Sequence, residues 1–254
     1  MSSTGGFPFR SENYLASFDD DLLLRAVVKL GDETGQLTKY RSRFPGYTDL
    51  RLFAGPAGWQ ATAATNEHNQ GDLNQQVLLQ IDGARITSPV LLSSPEAGHQ
   101  KNWMPVLGGV LPALVTDCAP TRVVRIDLDR QFTQTIAEHP APAIANNFRG
   151  GSQLVPVDDG YVSVIHERLH GQVPRRLYVH RVVHFTNGFE IDAVSRQFVF
   201  QLRDVEFCAG LALDDGRFIL SFGENDREAY LAVVPVQEFI AMLLPIGATD
   251  MSAR

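Results

Sequence analysis

The chain has 254 residues, 44 % of them hydrophobic and 20 % charged, with a formal charge of −7. That is the composition of a globular protein able to bury a substantial core, and the acidic balance argues against non-specific binding of nucleic acid or of an anionic membrane. No apolar run approaches the roughly 18 to 20 residues needed to span a bilayer, and the first residues lack the basic and apolar regions of a secretory signal. Cys118 and Cys208 are the only cysteines, too few for a disulfide framework or a cysteine-based zinc site. Buried thiols in a reducing cytoplasm are expected.

In chain order, "SFDDDLLLRAVV" (17 to 28), "LFAGPAGWQATAAT" (52 to 65) and "VLGGVLPALVTD" (106 to 117) read as hairpins, each a strand, a turn and a strand. The runs "QQVLLQID" (75 to 82) and "TRVVRIDL" (121 to 128) read as further strands, and the Pro-rich "EHPAPAIANNFRGG" (138 to 151) as a connection. Two clearer hairpins follow, "LVPVDDGYVSVIHE" (154 to 167) and "LALDDGRFILSFGE" (211 to 224), which share an Asp-Asp-Gly turn between apolar strands. Strands are also expected in "RRLYVHRVVHF" (175 to 185) and "RQFVFQL" (196 to 202), with a helix only in "VPVQEFIAML" (234 to 243).

The fourth hairpin runs into His166-Glu167-Arg168-Leu169-His170, which fits the H-E-x-x-H pattern of zinc metallohydrolases. That chemistry needs both imidazoles on one face of a helix. Here β-branched residues precede the motif, Gly171 and Pro174 follow it, and Arg176 stands where a third histidine would be needed. On a strand the two histidines lie roughly 13 Å apart and cannot share an ion. No metal and no cofactor is expected.

Five hairpins interleaved with single strands, at unequal spacings of roughly 35 to 55 residues, predict an all-β chain: a five-bladed β-propeller with a short C-terminal helix. A sandwich is the alternative. The propeller is expected over residues 13–243 as a single catalytic domain, with tails at 1–12 and 244–254.

In a hairpin, the start of the first strand and the end of the second share one end. Applied to each copy, this puts Asp49, Arg51, Lys101, Asn102, Arg149, Ser152 and Glu206 on one rim with Asn66, Glu67, Thr116, Asp117, His166, Glu167, Glu224, Asn225 and Asp226. Carboxylates can act as acid and base, and a cationic cluster can hold phosphate. Trp103 and Tyr161 are candidates to stack on a sugar, although each also suits a core.

The segments "TDLRLF" (48 to 53), "QKNWMP" (100 to 105), "RGGSQLVPVDDGYVSVIHE" (149 to 167) and "VEFCAGLALDDGRFILSFGENDREAYLAVV" (205 to 234) together resemble, in order and spacing, the five-bladed propellers of glycoside hydrolase family 130 and its relatives, β-mannoside phosphorylases and mannosidases. The resemblance implies that Asp49 is the general acid. It implies that Asp226 binds the sugar at the cleaved position, and that Arg51, Lys101, Asn102, Arg149 and His166 hold phosphate or an anion in its place. Glu167 and Glu206 are then the candidates to activate water, and Asn66, Trp103 and Asp117 further substrate-binding residues. Thr48 and Gln100 depart from the pattern, where the family has acidic residues.

Three functions follow as expectations. The first is a carbohydrate-active enzyme that makes or breaks a β-glycosidic bond, mannosyl in type, by a single inverting displacement, its partners an oligosaccharide, a sugar phosphate or inorganic phosphate. The second is a glycosyltransferase using a sugar nucleotide, although no G-x-G-x-x-G or P-loop is present. The third is a glycan-binding propeller without catalysis.

Overall fold

The computed structural model describes residues 11–32, 34–35, 39–40, 42, 44–55, 58–94, 97–109, 112–128, 132–169, 177–201 and 204–247. The protein is an all-β β-propeller with one short α-helix. Its strands fall into two compact units: unit 1 holds residues 1–101 and 128–132, and unit 2 holds 102–127 and 133–254.

Unit 1 opens with an antiparallel ribbon, β1 (Tyr14–Phe18) and β2 (Leu24–Lys29). A mixed sheet follows, built from β3 (Gly31–Asp32), β4 (Thr48–Gly55), β5 (Gly58–Thr65), β6 (Gln75–Asp82), β7 (Arg85–Ile86) and β8 (Val90–Leu91). Small residues dominate β5, where Ala61, Ala63 and Ala64 are buried, so its neighbours Val77, Leu79 and Ile81 from β6 pack close by.

Unit 2 contains three sheets. The first is antiparallel over β9 (Met104–Val106), β10 (Ala113–Cys118), β11 (Thr121–Asp127) and β12 (Phe132–His139). A 3-10 turn at Ala143–Asn147 leads to the second, made of β13 (Phe148–Arg149), β14 (Val155–Val157), β15 (Gly160–Leu169), β16 (Leu177–Thr186) and β17 (Ile191–Val194). The third is β18 (Glu206–Asp214), β19 (Arg217–Glu224) and β20 (Glu228–Pro235), followed by α1 (Val236–Ala241). Finally β21 (Leu244–Pro245), in a stretch expected as tail, pairs with β17.

All five expected hairpins exist, as β1–β2, β4–β5, β9–β10, β14–β15 and β18–β19. The blade count is corrected: among the described residues only four sheets have three or more strands, so four blades are formed rather than five. The first hairpin remains a two-stranded ribbon. Its strand β2 is exposed along its whole length, with Leu24 and Val27 facing solvent, and so lacks the buried face that a blade strand needs.

The two Asp-Asp-Gly turns differ in register by one residue. In the first, Val157 pairs with Gly160, so Asp158 and Asp159 form the loop. In the second, Asp214 pairs with Arg217, and Asp215-Gly216 form it with φ of 43° and 72°. That is the two-residue turn that positive φ permits. Gly160 is required for another reason, since a Cβ there would stand 2.1 Å from the carbonyl oxygen of Phe185.

In the expected run 196–202, the described residues 196–201 are not a strand and make one bridge, Phe198 to His180; Leu202 lies outside the described residues. Its backbone donors are taken elsewhere: the carboxylate of Glu206 accepts hydrogen bonds from the N–H groups of Phe200 and Gln201, each at 2.8 Å. A ladder cannot form through donors already used.

Candidate functional site

The H-E-x-x-H match lies on β15, where His166 is paired with Arg149 on one side and His180 on the other. His166 and Glu167 therefore face opposite sides of the sheet. His170 and Arg176 lie outside the described residues. Among the described residues, no group of three or more His, Cys, Asp or Glu is arranged to hold a metal ion.

In unit 1, Asp49 sits on a β-bulge. Thr48 pairs with Ala64 and Arg51 with Thr62, so β4 carries one more residue than β5 between the same two rungs. Asp49 takes up the excess with a φ of 57°, a conformation that costs most L-residues 1 to 2 kcal/mol and that aspartate tolerates better than others. Bulges of this kind re-aim a side chain out of the ladder. The Asp49 carbonyl accepts a 2.8 Å hydrogen bond from the guanidinium of Arg51, which braces the bulge from below.

Across from it, Lys101 brings Nζ to 3.3 Å from Asp49 Oδ2, with the two side chains 42 % and 30 % exposed. Gln100 places the lysine: its N–H donates to the carbonyl of Asn74 and its carbonyl accepts from Gln76 Nε2 at 3.3 Å. Gln76 is itself buried and its Oε1 has no hydrogen-bond partner. A glutamine opening the apolar run of β6 was its only signal in the sequence, and that signal points to solvent as readily as to a clamp.

Unit 1 also contains a polar cavity of about 450 Å³, lined by Lys29, Asp32, Tyr47, Thr65 and Glu67 among others. Its size suits a small ligand. The Tyr47 hydroxyl donates to Asp32 Oδ2 at 2.7 Å, and Glu67 Oε2 accepts from the N–H of Gly46. Burial works against the charged form of Asp32, but hydrogen bonds from Thr34 and Tyr47 outweigh it and hold the carboxyl below its usual range. Burial first, and the Asp32 contact second, push the Tyr47 phenol well above its ordinary value. Sequence reading missed this cavity because its walls come from five separated segments.

In unit 2, Asn102 has a φ of 63° and its carbonyl rests on Gly150, where an added Cβ would lie 1.9 Å away. Gly151 is as tightly held against the Val164 carbonyl, at 2.1 Å. The Gly-Gly pair thus exists to thread β13 past its neighbours, leaving Arg149 exposed at its edge. Asp226 is exposed in the β19–β20 turn, where Asn225 and Asp226 both have positive φ. Asp117 is exposed beside a bulge in β10, 3.5 Å from Arg122 and bonded by the Thr116 hydroxyl.

The other expected site residues are engaged inside the fold. Glu167 accepts 2.6 and 3.1 Å hydrogen bonds from Arg181 Nε and Gln197 Nε2, because the β15–β16 register makes Glu167 and Arg181 diagonal neighbours on one face. Glu206 is fully buried and caps the 200–201 turn. Both carboxylates are thus engaged by neighbouring groups of the fold. Arg51 is a buried brace and not a solvent-facing anion ligand, and Asn66 is buried with Nδ2 bonded to the Asp72 carbonyl. Trp103 is core, and His166 is packed between Tyr178 and Phe207 with ring centroids 5.2 and 5.1 Å away. Tyr161 stacks on Phe189 at 5.4 Å.

Two further groups have environments set by burial. His180 is enclosed by Phe198 and Phe200, and burial lowers its imidazole to about 4, with Glu206 acting the other way. Cys118 is pushed up to about 12 by burial and by Asp117.

No family model matches the sequence, and no curated protein does. Solved structures match in fold. A β-1,2-mannobiose phosphorylase from Listeria innocua, in complex with β-1,2-mannobiose, is 10 % identical with a TM-score of 0.57, and the match covers 80 % of this chain. This chain spans 62 % of that protein's length. A glycosyl hydrolase from Bacteroides ovatus is 10 % identical with a TM-score of 0.60, covering 88 % of this chain and 75 % of that one. A further glycoside hydrolase of Bacteroides ovatus ATCC 8483 is 11 % identical with a TM-score of 0.54, covering 87 % and 78 %.

Proposed function

We propose that the chain is a carbohydrate-active enzyme that cleaves or forms a β-glycosidic bond, mannosyl in type, by a single inverting displacement with phosphate as the partner. The observation that carries this reading is the pair of Asp49 and Lys101, a carboxyl group and an ammonium group 3.3 Å apart, both reaching solvent. The bulge presents Asp49 at a positive φ that glycine adopts more readily, which supports a role for its side chain.

In this mechanism Asp49 gives its proton to the glycosidic oxygen, directly or through a sugar hydroxyl, as that oxygen leaves the anomeric carbon. An oxygen of phosphate, held by Lys101, forms the new bond from the opposite face, and the configuration inverts. Hydrolysis by inversion would instead need a second carboxylate roughly 6.5 to 9.5 Å from the acid to activate water. Of the two carboxylates offered for that task, Glu167 is paired with Arg181 and Glu206 is fully buried. This favours phosphate over water as the nucleophile.

Asn102, Arg149 and Asp226 are exposed or partly exposed on unit 2, and we propose them as anion- or sugar-binding residues of that unit. Likeness in fold to a mannobiose phosphorylase supports the choice of substrate class. The two buried thiols fit a reducing compartment such as the cytoplasm.

The test is to incubate the protein with β-manno-oligosaccharides with and without phosphate, and with mannose 1-phosphate in the reverse direction. Phosphate-dependent release of a sugar 1-phosphate is the expected result. Monosaccharide release without phosphate identifies a hydrolase and nucleotide release from a sugar nucleotide identifies a transferase. Either result rejects the phosphorolytic mechanism, as does binding of the oligosaccharide without any product.

A further inference from the structure

The ribbon β1–β2 is tied to unit 1 at its base and uncovered along its length. Asn13 Nδ2 donates to the Tyr47 carbonyl at 3.1 Å and the Gly31 N–H to the Ala84 carbonyl at 2.9 Å, which fixes where the two strands leave the fold. Beyond that base, Tyr14, Phe18, Leu24 and Val27 are 57 %, 41 %, 57 % and 54 % exposed. A two-stranded hairpin of this kind is marginal by itself in water.

The two edges of the ribbon differ. Strand β2 carries Arg25 and Lys29 and bulges at Arg25, because Ser17 pairs with Ala26 and Phe18 with Leu24. Charges and bulges are what keep an edge strand from pairing with another chain. Strand β1, Tyr-Leu-Ala-Ser-Phe, has neither charge nor proline, and the extra residue of the bulge is not on it. The direction of its free hydrogen-bonding groups follows from its two ends. The Asn13 carbonyl accepts from the N–H of Leu30 and the Asp19 N–H donates to the carbonyl of Leu23, so the odd-numbered residues from 13 to 19 turn toward β2. The N–H and C=O groups of Tyr14, Ala16 and Phe18 therefore point outward, and among the described residues no strand pairs with them.

We propose that β1 is an interface between two copies of this chain, pairing edge to edge and antiparallel with the β1 of a second copy across a twofold axis at Ala16. That axis sets Tyr14 opposite the partner's Phe18 and Phe18 opposite the partner's Tyr14, and each rung exchanges the N–H and C=O groups that point outward. Aromatic pairs directly across a sheet are favourable, and the small Ala16 between them leaves the rings room. Two ribbons become one four-stranded antiparallel sheet, the size of the first sheet of unit 2. Charge selects both the edge and the occupant. A twofold axis on β2 at Val27 would set Arg25 against the partner's Lys29, whereas β1 meets its own copy with no charged side chain on any rung of the strand. A contact of one five-residue strand per copy falls short of the roughly 800 Å² per partner of a standard interface, so the dimer forms reversibly and with concentration.

The experiment is sedimentation velocity of the full chain from about 1 to 200 μM, over which a dimer grows at the expense of the monomer. Ala16→Pro removes an outward N–H that β1–β2 pairing does not use, and Ala16→Lys places two ammonium groups at the axis. Each abolishes the dimer and leaves the unfolding temperature at its wild-type value. Val27→Lys, on the exposed face but away from the shared edge, leaves the dimer in place. Under mild oxidation Ala16→Cys forms an interchain disulfide whose yield follows the dimer fraction, and the buried Cys118 and Cys208 do not compete. A monomer at every concentration overturns the proposal. So does a dimer unchanged by both Ala16→Pro and Ala16→Lys, which uses another surface, or a dimer lost in Val27→Lys, in which the ribbons pack by their faces.

Discussion

Lys101 reaches Asp49 at 3.3 Å because two unrelated local features meet: a bulge that swings the aspartate out of β4, and a backbone clamp that fixes Gln100 on the start of β6. An exposed pair of this kind contributes only about 0 to 1 kcal/mol to stability. The proposed reaction would give the pair a role that stability does not.

Substitutions at Asp49 separate those two explanations. Asp49→Asn removes the proton donor and should lower kcat by about 10² to 10⁴ while leaving the unfolding midpoint unchanged. Asp49→Gly should do the same to activity with no loss of stability, because glycine adopts the positive φ freely. Turnover preserved in either variant would remove Asp49 from the reaction.

Lys101→Met tests the phosphate assignment. Phosphorolysis should require a phosphate concentration raised about tenfold or more, with a smaller change in the KM for the oligosaccharide. Equal effects on both substrates would place Lys101 in general positioning of the site and not in phosphate binding.

Gly150→Ala and Gly151→Ala address the packing of β13. Each introduces a Cβ at about 2 Å from a main-chain carbonyl oxygen, which no flexible neighbour can relieve. Chemical denaturation should show losses of at least about 1 to 3 kcal/mol, the usual cost of overpacking. Wild-type stability in both would mean that the strand threads past Asn102 and Val164 differently.

The assignment of Glu167 as structural rests on Arg181. Glu167→Gln leaves a largely buried guanidinium without its carboxylate and should destabilise by about 3 kcal/mol, with part of that recovered in Glu167→Gln/Arg181→Met. Activity per folded molecule should fall far less than in Asp49→Asn. A catalytic role would reverse that order.

His180 sets an acid limit. Its folded imidazole is lowered to about 4 from an ordinary 6.5, so the unfolded chain takes up a proton first as pH falls. The stability contributed by the neutral, buried ring is fully present above pH 6.5 and is lost as pH falls through about 4, a change of about 3 kcal/mol. Denaturation curves of wild type and His180→Leu across that window should differ by a pH-dependent amount of this size. Parallel curves would show that the Phe198–Phe200 enclosure does not hold the ring neutral.

The hairpins were legible in the sequence because they depend on neighbours in the chain. Alternating apolar residues, an Asp-Asp-Gly turn and β-branched flanks are local, and all five hairpins formed where those signals stood. The same locality rejected the zinc reading, since a strand through His166 and Glu167 puts them on opposite faces. Chain order alone also brought Asp49, Lys101, Arg149 and Asp226 into consideration; the last three are exposed and Asp49 is partly exposed.

The tertiary structure decided which polar residues were left for chemistry. Glu167 and Glu206 look like Asp49 in the sequence, but Arg181, Gln197 and the 200–201 backbone approach them from other segments and occupy them. The ribbon β1–β2 carries a looser hairpin signal, like those of β4–β5 and β9–β10, yet no further described strand adds to it, and four sheets of blade size result. Turn and strand preferences are summed over a few residues and can be read one segment at a time. Burial and pairing are properties of segments that meet only after folding, and they determine whether a carboxylate is a brace or a reagent.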